Sequence, residues 1–167
     1  MKGNRTLLSL LLMLFGVASS AQAEPAADAP QATLDSLKGY FFAAARSGEM
    51  SVLNEFLVAG FPVNECNDQS YTALMIAAYQ GQMAAVELLL EQGANACLRD
   101  KRGHTALMGA IIKGEWRIAK VLYAVDCDRG KPSDNREITD KATMTAAQFA
   151  ERFGQGERFK ALENSAK

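Results

Sequence analysis

The sequence contains little of the histidine and cysteine on which most metal sites and nucleophilic enzymes depend. Its 167 residues include one His and three Cys. A Ser-His-Asp or Cys-His arrangement would have to use His104, and a metal site needs several converging ligands. The two common glycine-rich phosphate-binding motifs are absent as well. We therefore expect no catalytic activity, no cofactor and no bound metal.

A large excess of charge of one sign is also absent. The formal net charge is −1 at pH 7, which leaves no electrostatic footprint for nucleic acid. No two cysteines form C-x-x-C, so neither a thioredoxin-like redox site nor a zinc ribbon is indicated. The composition is that of a globular chain with room for one domain.

The first residues form the pattern of a secretory signal peptide. Lys2 and Arg5 precede an apolar run over residues 7–18, and small residues ending at Ala23 match an A-x-A cleavage site. A membrane anchor is the alternative, but a spanning helix needs roughly 20 apolar residues and this run is shorter. We expect residues 1–23 to be removed, which takes away two basic residues, moves the formal net charge to −3 and leaves no membrane contact.

Internal repeats organise the rest of the chain. Residues 24–33 are rich in Ala and Pro and predict a flexible lead, and the folded domain is expected over 34–167. TALM at residues 72–75 recurs 33 residues later at 105–108, and the register continues after 40 residues at Thr145. The predicted units span about 35–66, 67–99, 100–132 and 140–167, with a longer polar loop over 130–141 that is either functional or disordered.

Each unit reads as helix, tight turn, helix and loop. Thr72 is placed to cap the first helix, and Gly81 and Gly93 are placed to end the two helices. Val86 and Leu89 lie on the apolar stripe of the second helix, where spacings of three and four place them on one face. Such a unit cannot bury its apolar side alone and must stack on its neighbours.

The repeated residues follow a family pattern. Residues 72–81 read TALMIAAYQG, residues 86–90 read VELLL and residues 100–105 read DKRGHT. These units resemble ankyrin repeats, whose pattern runs D-x-x-G-x-T-P-L-H-x-A-A-x-x-G and then V-x-x-L-L. The resemblance covers about residues 35–163 and implies an all-α solenoid of four helix-turn-helix units with short connecting fingers. With the signal peptide, the chain resembles exported ankyrin-repeat proteins of the bacterial periplasm.

The stacking bears on the three cysteines, Cys66, Cys97 and Cys127. Equivalent positions of neighbouring units lie about 10 Å apart, whereas a disulfide needs Cα atoms closer than about 7 Å. Equivalent positions therefore cannot pair, although offset positions can. We expect free or buried thiols, with a Cys97–Cys127 bond as the alternative.

The resemblance also implies where a partner binds. In ankyrin repeats the finger tips and the ends of the inner helices form a concave face. Tyr and Arg are enriched at binding hot spots, and apolar residues at exposed positions favour a contact patch. The alternative is that some of these residues pack on the next unit. The positions are Arg46, Ser47, Gln69, Tyr71, Tyr79, Gln80, Lys101, Arg102, His104, Ile112, Lys113, Met144, Arg152 and Phe153.

The function implied is recognition of another protein in the bacterial envelope. The chain is expected to act as a scaffold or accessory factor for a periplasmic protein, and the resemblance suggests an oxidative-defence enzyme as one candidate partner. The first alternative is an immunity protein that neutralises a toxin in the periplasm. The second, from a different class, is an enzyme that uses one of the cysteine thiols.

Overall fold

The computed structural model describes residues 29–128 and 144–166. The predicted signal peptide, the start of the predicted lead and the predicted loop 130–141 lie outside the described residues. The helices are α1 (Ala29–Ser47), α2 (Met50–Val58), α3 (Ala73–Tyr79), α4 (Met83–Glu91), α5 (Ala106–Lys113), α6 (Trp116–Ala124), α7 (Ala146–Arg152) and α8 (Gly156–Ser165).

The helices form four successive pairs, which confirms the predicted all-α solenoid of helix-turn-helix units. The first helix of each pair packs on the first helix of the next pair, from α1 through α3 and α5 to α7. The second helices form an outer row in which α2 packs on α4 and α4 on α6. In the described part of the chain, the isolated bridge between Cys66 and Thr72 is the only extended pairing. The stack thus has an inner row of helices and an outer row.

The threonines of the repeat cap the inner helices. The hydroxyls of Thr72, Thr105 and Thr145 each accept a hydrogen bond from the backbone N–H three residues later. Gln148 also accepts from the backbone of Thr145, which completes a reciprocal capping box. Each cap is worth about 1 kcal/mol because it satisfies a helix-end donor that otherwise lacks a partner. The repeated threonine therefore sets the start of three inner helices.

Small and branched apolar residues fill the space between the rows. Ala77, Ala78 and Ala110 are fully buried on the inner helices, where the small side chain permits close helix contact. Leu89 and Leu122 are fully buried at equivalent places on the outer helices. Burying one such leucine contributes about 1.5–3 kcal/mol. The apolar stripe predicted from the sequence is therefore the stripe that holds the pairs together.

The first inner helix is longer than predicted. It begins at Ala29, so the prediction of a flexible lead is wrong for the last five residues of that segment. Gly39 takes the place of the capping Thr72, and no cap interrupts the helix there. Lys38 pairs with Glu65 at 2.6 Å, and this hydrogen bond raises the pKa of Lys38. This ion pair joins α1 to the finger that follows α2.

A disulfide joins Cys97 to Cys127, so the expectation of free or buried thiols is wrong for this pair. Their Cα atoms lie 5.7 Å apart. The bond forms because Cys127 is offset by three positions from the equivalent of Cys97, and the loop after α6 returns toward the loop after α4. Cys66 is free and exposed. The disulfide fixes the chain at the point where the third unit leads into the fourth.

Arg99 also stabilises the junction between the third and the fourth unit. Its guanidinium donates to the carbonyl oxygens of Gly103 at 2.6 Å and Met144 at 3.0 Å. It also forms an ion pair of 2.6 Å with the Asp128 carboxylate. Asp126 lies nearby, and burial, followed by the charge of Asp128, raises its pKa. Arg99 therefore links Asp128 and Met144, the residues on either side of the part of the chain that the structure does not describe.

Candidate protein-binding face

Two fingers precede α3 and α5, and they fold in the same way. The side-chain oxygen of Asn67 accepts hydrogen bonds from the backbone N–H groups of Gln69 at 3.0 Å and Tyr71 at 2.9 Å. Thirty-three residues later, Asp100 accepts from the N–H groups two and four residues after it, both at 2.8 Å. Asn and Asp suit this role because their short side chains reach the backbone of the following turn. Each finger therefore presents its tip residues in a fixed orientation.

The turns also share a left-handed residue. Ser70 has φ 62° and Gly103 has φ 81° at equivalent positions. Glycine adopts this conformation without steric cost, whereas a serine there carries strain. The ammonium of Lys101 donates to the backbone carbonyl of Asp68 and so joins the two finger tips. The fingers thus form one continuous edge of the inner face.

A groove of about 410 Å³ runs between this edge and the inner helices. It is lined by residues of α1, α3 and α5, by both fingers and by one residue of α7. Eight of the residues predicted for the binding face line it together: Arg46, Gln69, Tyr71, Tyr79, Gln80, Arg102, His104 and Ile112. The repeat register therefore brings residues from three units to one cavity.

The other predicted residues do not line the groove, although Lys113 and Phe153 lie beside it. The ammonium of Lys113 stands 5.0 Å from the centre of the Tyr79 ring, and Phe153 packs on Phe149 with ring centres 4.5 Å apart. Arg152 is exposed at the end of α7. Ser47 does not line the groove; its hydroxyl bonds to the carboxylate of Glu49 and to backbone carbonyls of α1.

The placement of Met144 on the binding face is wrong. Its side chain is buried, and its carbonyl oxygen accepts the hydrogen bond from Arg99. Met144 is equivalent to His104, but it follows the longer segment that leads to the fourth unit. An apolar side chain before the α7 cap gains more from packing in the core than from exposure.

His104 is half-buried in the groove wall and is held on two sides. Its Nδ1 lies 3.6 Å from a carboxylate oxygen of Asp100, and its ring meets the Phe149 ring edge-on with centres 5.1 Å apart. The Asp100 side chain is only 4% exposed. Its Oδ1 accepts both backbone N–H groups of the finger and its Oδ2 faces His104, so this single buried carboxylate is engaged within the finger, and the two exposed arginines of the groove outnumber it.

The electrostatics of the groove follow from its uncompensated cations. Arg46 and Arg102 line it and are exposed, and neither forms an ion pair within the part of the chain that the structure describes. Tyr79 is 45% and Ile112 43% exposed at its rim. The groove is therefore basic and partly apolar, although the chain as a whole has a slight acidic excess.

Several lining residues were not predicted: Asn67, Met75, Ile76, Asp100, Thr105, Met108, Gly109 and Phe149. The signal for three of them was in the repeat. Ile76, Gly109 and Phe149 follow one another at 33 and 40 residues, the spacings that defined the units. This position lies in the middle of the inner helices, whereas the predicted binding face consisted of helix ends and finger tips.

Within residues 29–128 and 144–166, no three side chains of the His, Cys, Asp or Glu type gather as a metal site would require. No described helix is both long and apolar enough to cross a bilayer.

Comparison with known proteins identifies the family. The family profile "Ankyrin repeats (3 copies)" matches residues 41–133, more than half of the chain. The protein belongs to the ankyrin-repeat family. Repeats of this family form protein–protein interaction modules, and the groove lies on the inner face of such a stack.

Individual relatives are similar over the repeats. A putative ankyrin repeat-containing protein of Treponema pallidum is 31% identical over 111 residues, which cover 66% of this chain and 35% of the relative. Protein HOS4 of Saccharomyces cerevisiae is 44% identical over 68 residues, 40% of this chain and 6% of the relative. The ankyrin repeat, SAM and basic leucine zipper domain-containing protein 1 of Notamacropus eugenii is 30% identical over 119 residues, 70% of this chain and 24% of the relative. The chain thus spans about a third or less of the length of these relatives.

Proposed function

We propose that this protein is a non-catalytic interaction module of the bacterial envelope that binds another periplasmic protein in its concave groove. The observation that carries the proposal is the rigid pair of fingers beside uncompensated Arg46 and Arg102 and the exposed apolar rim of Tyr79 and Ile112. Uncompensated charge beside exposed aromatic surface is typical of a contact site. The module serves as a scaffold or accessory factor, and an oxidative-defence enzyme is one candidate partner.

Two features support a periplasmic location. The first residues carry the signal-peptide pattern that ends at Ala23. The Cys97–Cys127 disulfide is a type of bond that persists in oxidising compartments such as the periplasm and is rare in the cytosol. Cell fractionation, with mass spectrometry of the protein recovered from the periplasm, tests the location. Recovery of an uncleaved chain from the cytosol would contradict it.

Capture of a partner from periplasmic extract tests the function. The wild-type protein is compared with a groove variant, Tyr71→Ala with Arg102→Ala and Ile112→Ala. The matched control is Glu55→Ala with Glu87→Ala and Lys120→Ala, three exposed residues of the outer helices. We expect the same partner with the wild type and the control and its loss from the groove variant. A partner retained by the groove variant contradicts the placement of the site.

The captured partner also separates the scaffold from the immunity protein. A toxin whose activity falls on binding identifies the immunity role. A resident envelope protein whose activity or lifetime depends on this chain identifies the accessory role.

A further inference from the structure

Gly109 departs from the pattern of the groove floor. It lies in the interior of α5, and the equivalent residues of the neighbouring units are Ile76 and Phe149. All three line the groove. Both neighbours are large and buried. The floor therefore lacks a side chain at its middle, between two filled positions.

The fold does not require glycine at this place. Gly109 is helical and is absent from the residues with positive φ. A Cβ atom added there would meet the Tyr79 Cβ at 3.8 Å and the Met75 carbonyl oxygen at 3.9 Å, which are ordinary contact distances. Glycine in a helix interior is less favourable than alanine because it loses more backbone entropy on folding. Glycine is therefore not needed to avoid a clash, and the space that its missing side chain leaves on the groove floor, which we call the notch, is bordered by the Cβ and Cδ2 atoms of Tyr79.

The charges beside the notch indicate the polarity of its ligand. Arg46 and Arg102 line the same groove without acidic partners in the described residues, and the ammonium of Lys113 lies over the Tyr79 ring. The acid in the wall, Asp100, is buried and accepts backbone N–H groups. Complementary charge steers association and suppresses wrong partners. The groove is thus complementary to negative charge next to an apolar group.

We propose that the groove binds an acidic segment of a partner protein and that one apolar side chain of this segment fills the notch over Gly109. Carboxylates of the segment contact Arg46 and Arg102, and the apolar residue packs between Ile76 and Phe149 with Ile112 at its side. The inference rests on the proposed function and specifies the chemistry of the partner.

Selection from a random short-peptide display library, followed by fluorescence anisotropy with the enriched peptides, tests this inference. The wild type is compared with Gly109→Ile, which supplies the residue of the second unit, and with Gly109→Ala. Arg46→Glu with Arg102→Glu removes the positive charge. Arg117→Glu with Lys120→Glu is the matched reversal on the outer face of α6, where both residues are exposed.

The expected peptides are rich in Asp and Glu and share one apolar residue. Their affinity falls by about tenfold or more in Gly109→Ile and in the groove charge reversal, as at interface hot spots. The outer reversal leaves it within about twofold. Gly109→Ala raises the melting temperature by about 2–4 °C and still weakens binding, a combination that a merely structural glycine would not give.

Other results overturn the inference. Enriched peptides that are basic or uncharged, equal binding by Gly109→Ile, or no enriched peptide would each contradict it. The capture experiment tells this failure from failure of the proposed function. If the captured partner is lost from the Tyr71, Arg102 and Ile112 variant, the groove still binds a protein and only its acidic, notch-filling character is wrong.

Discussion

The base and the tip of the finger before α5 carry two arginines in opposite situations. Arg99 at the base donates to two carbonyl oxygens and pairs with Asp128 at 2.6 Å. Arg102, three residues later, is exposed at the groove and forms no ion pair among the described residues. Both residues are arginines of one finger, but the fold engages the guanidinium of Arg99 in these contacts and leaves that of Arg102 available to a partner. Loss of the first should change stability, and loss of the second should change binding.

The largest expected effect concerns the base of the finger. Replacing Cys97 and Cys127 together by Ser should lower the free energy of unfolding by about 3–4 kcal/mol, because the bond closes a long loop in the unfolded chain. The sequence separation is 30 residues. Denaturant titration measures the change. Cys66→Ser is the control, and its effect should stay within about 0.5 kcal/mol because Cys66 is exposed and free.

The next effect sharpens the contrast between the arginines. Arg99→Ala should lower the free energy of unfolding by about 1–3 kcal/mol, since it removes the hydrogen bonds to two carbonyl groups and the ion pair with the partly buried Asp128. The same titration measures this change. Arg102→Ala is the matched variant in the same finger. Equal stability losses in the two variants would remove the distinction on which the comparison rests.

A substitution at the finger tip should change binding and not stability. Arg102→Ala is expected to lower the affinity for the captured partner by about tenfold, as for a charged hot spot. It should leave the unfolding midpoint almost unchanged. Isothermal titration with the purified partner provides the affinity. The effect should decrease as salt is raised, since the lost contact is electrostatic and solvent-accessible. An affinity equal to that of the wild type would place the contact elsewhere on the face.

The smallest effect concerns Asp126 beside the base. Burial and Asp128 raise its pKa in the folded protein above the unfolded value, so its ionised form opposes folding. The folded state therefore binds more protons in the acidic range just above an ordinary aspartate pKa, and this group adds stability as the pH falls through that range. Asp126→Asn should be at least as stable as the wild type at neutral pH. The advantage should shrink on acidification, which denaturant titrations at several pH values would show. An advantage that grows on acidification would contradict the assigned direction.

Much of the base and tip was predictable because the repeat fixes local structure. The spacing of Thr72 and Thr105 places the caps, and the spacing of Tyr79 and Ile112 places the inner helix ends at the groove. These features depend on residues close in sequence, so the repeat pattern is sufficient to predict them.

Other features depend on the conformation of the loops between the helices, which the repeat spacing does not predict. The Cys97–Cys127 bond needs an offset that only the loop after α6 determines. Met144 was assigned to the surface by register, but its side chain lies in the core. The repeat spacing already relates Gly109 to Ile76 and Phe149, but only the packing of the units places the three residues along one groove.

Hydroxyl-radical footprinting of the free protein and of its complex with the captured partner tests the central claim most directly. Tyr79, Ile112 and Phe153 are exposed on or beside the groove, and Val58, 79% exposed, and Val125 lie outside it. We expect the partner to protect the first three side chains from oxidation and to leave the two valines unchanged. Protection of Val58 and Val125, with Tyr79 and Ile112 still oxidised, would show that the protein binds through a different surface.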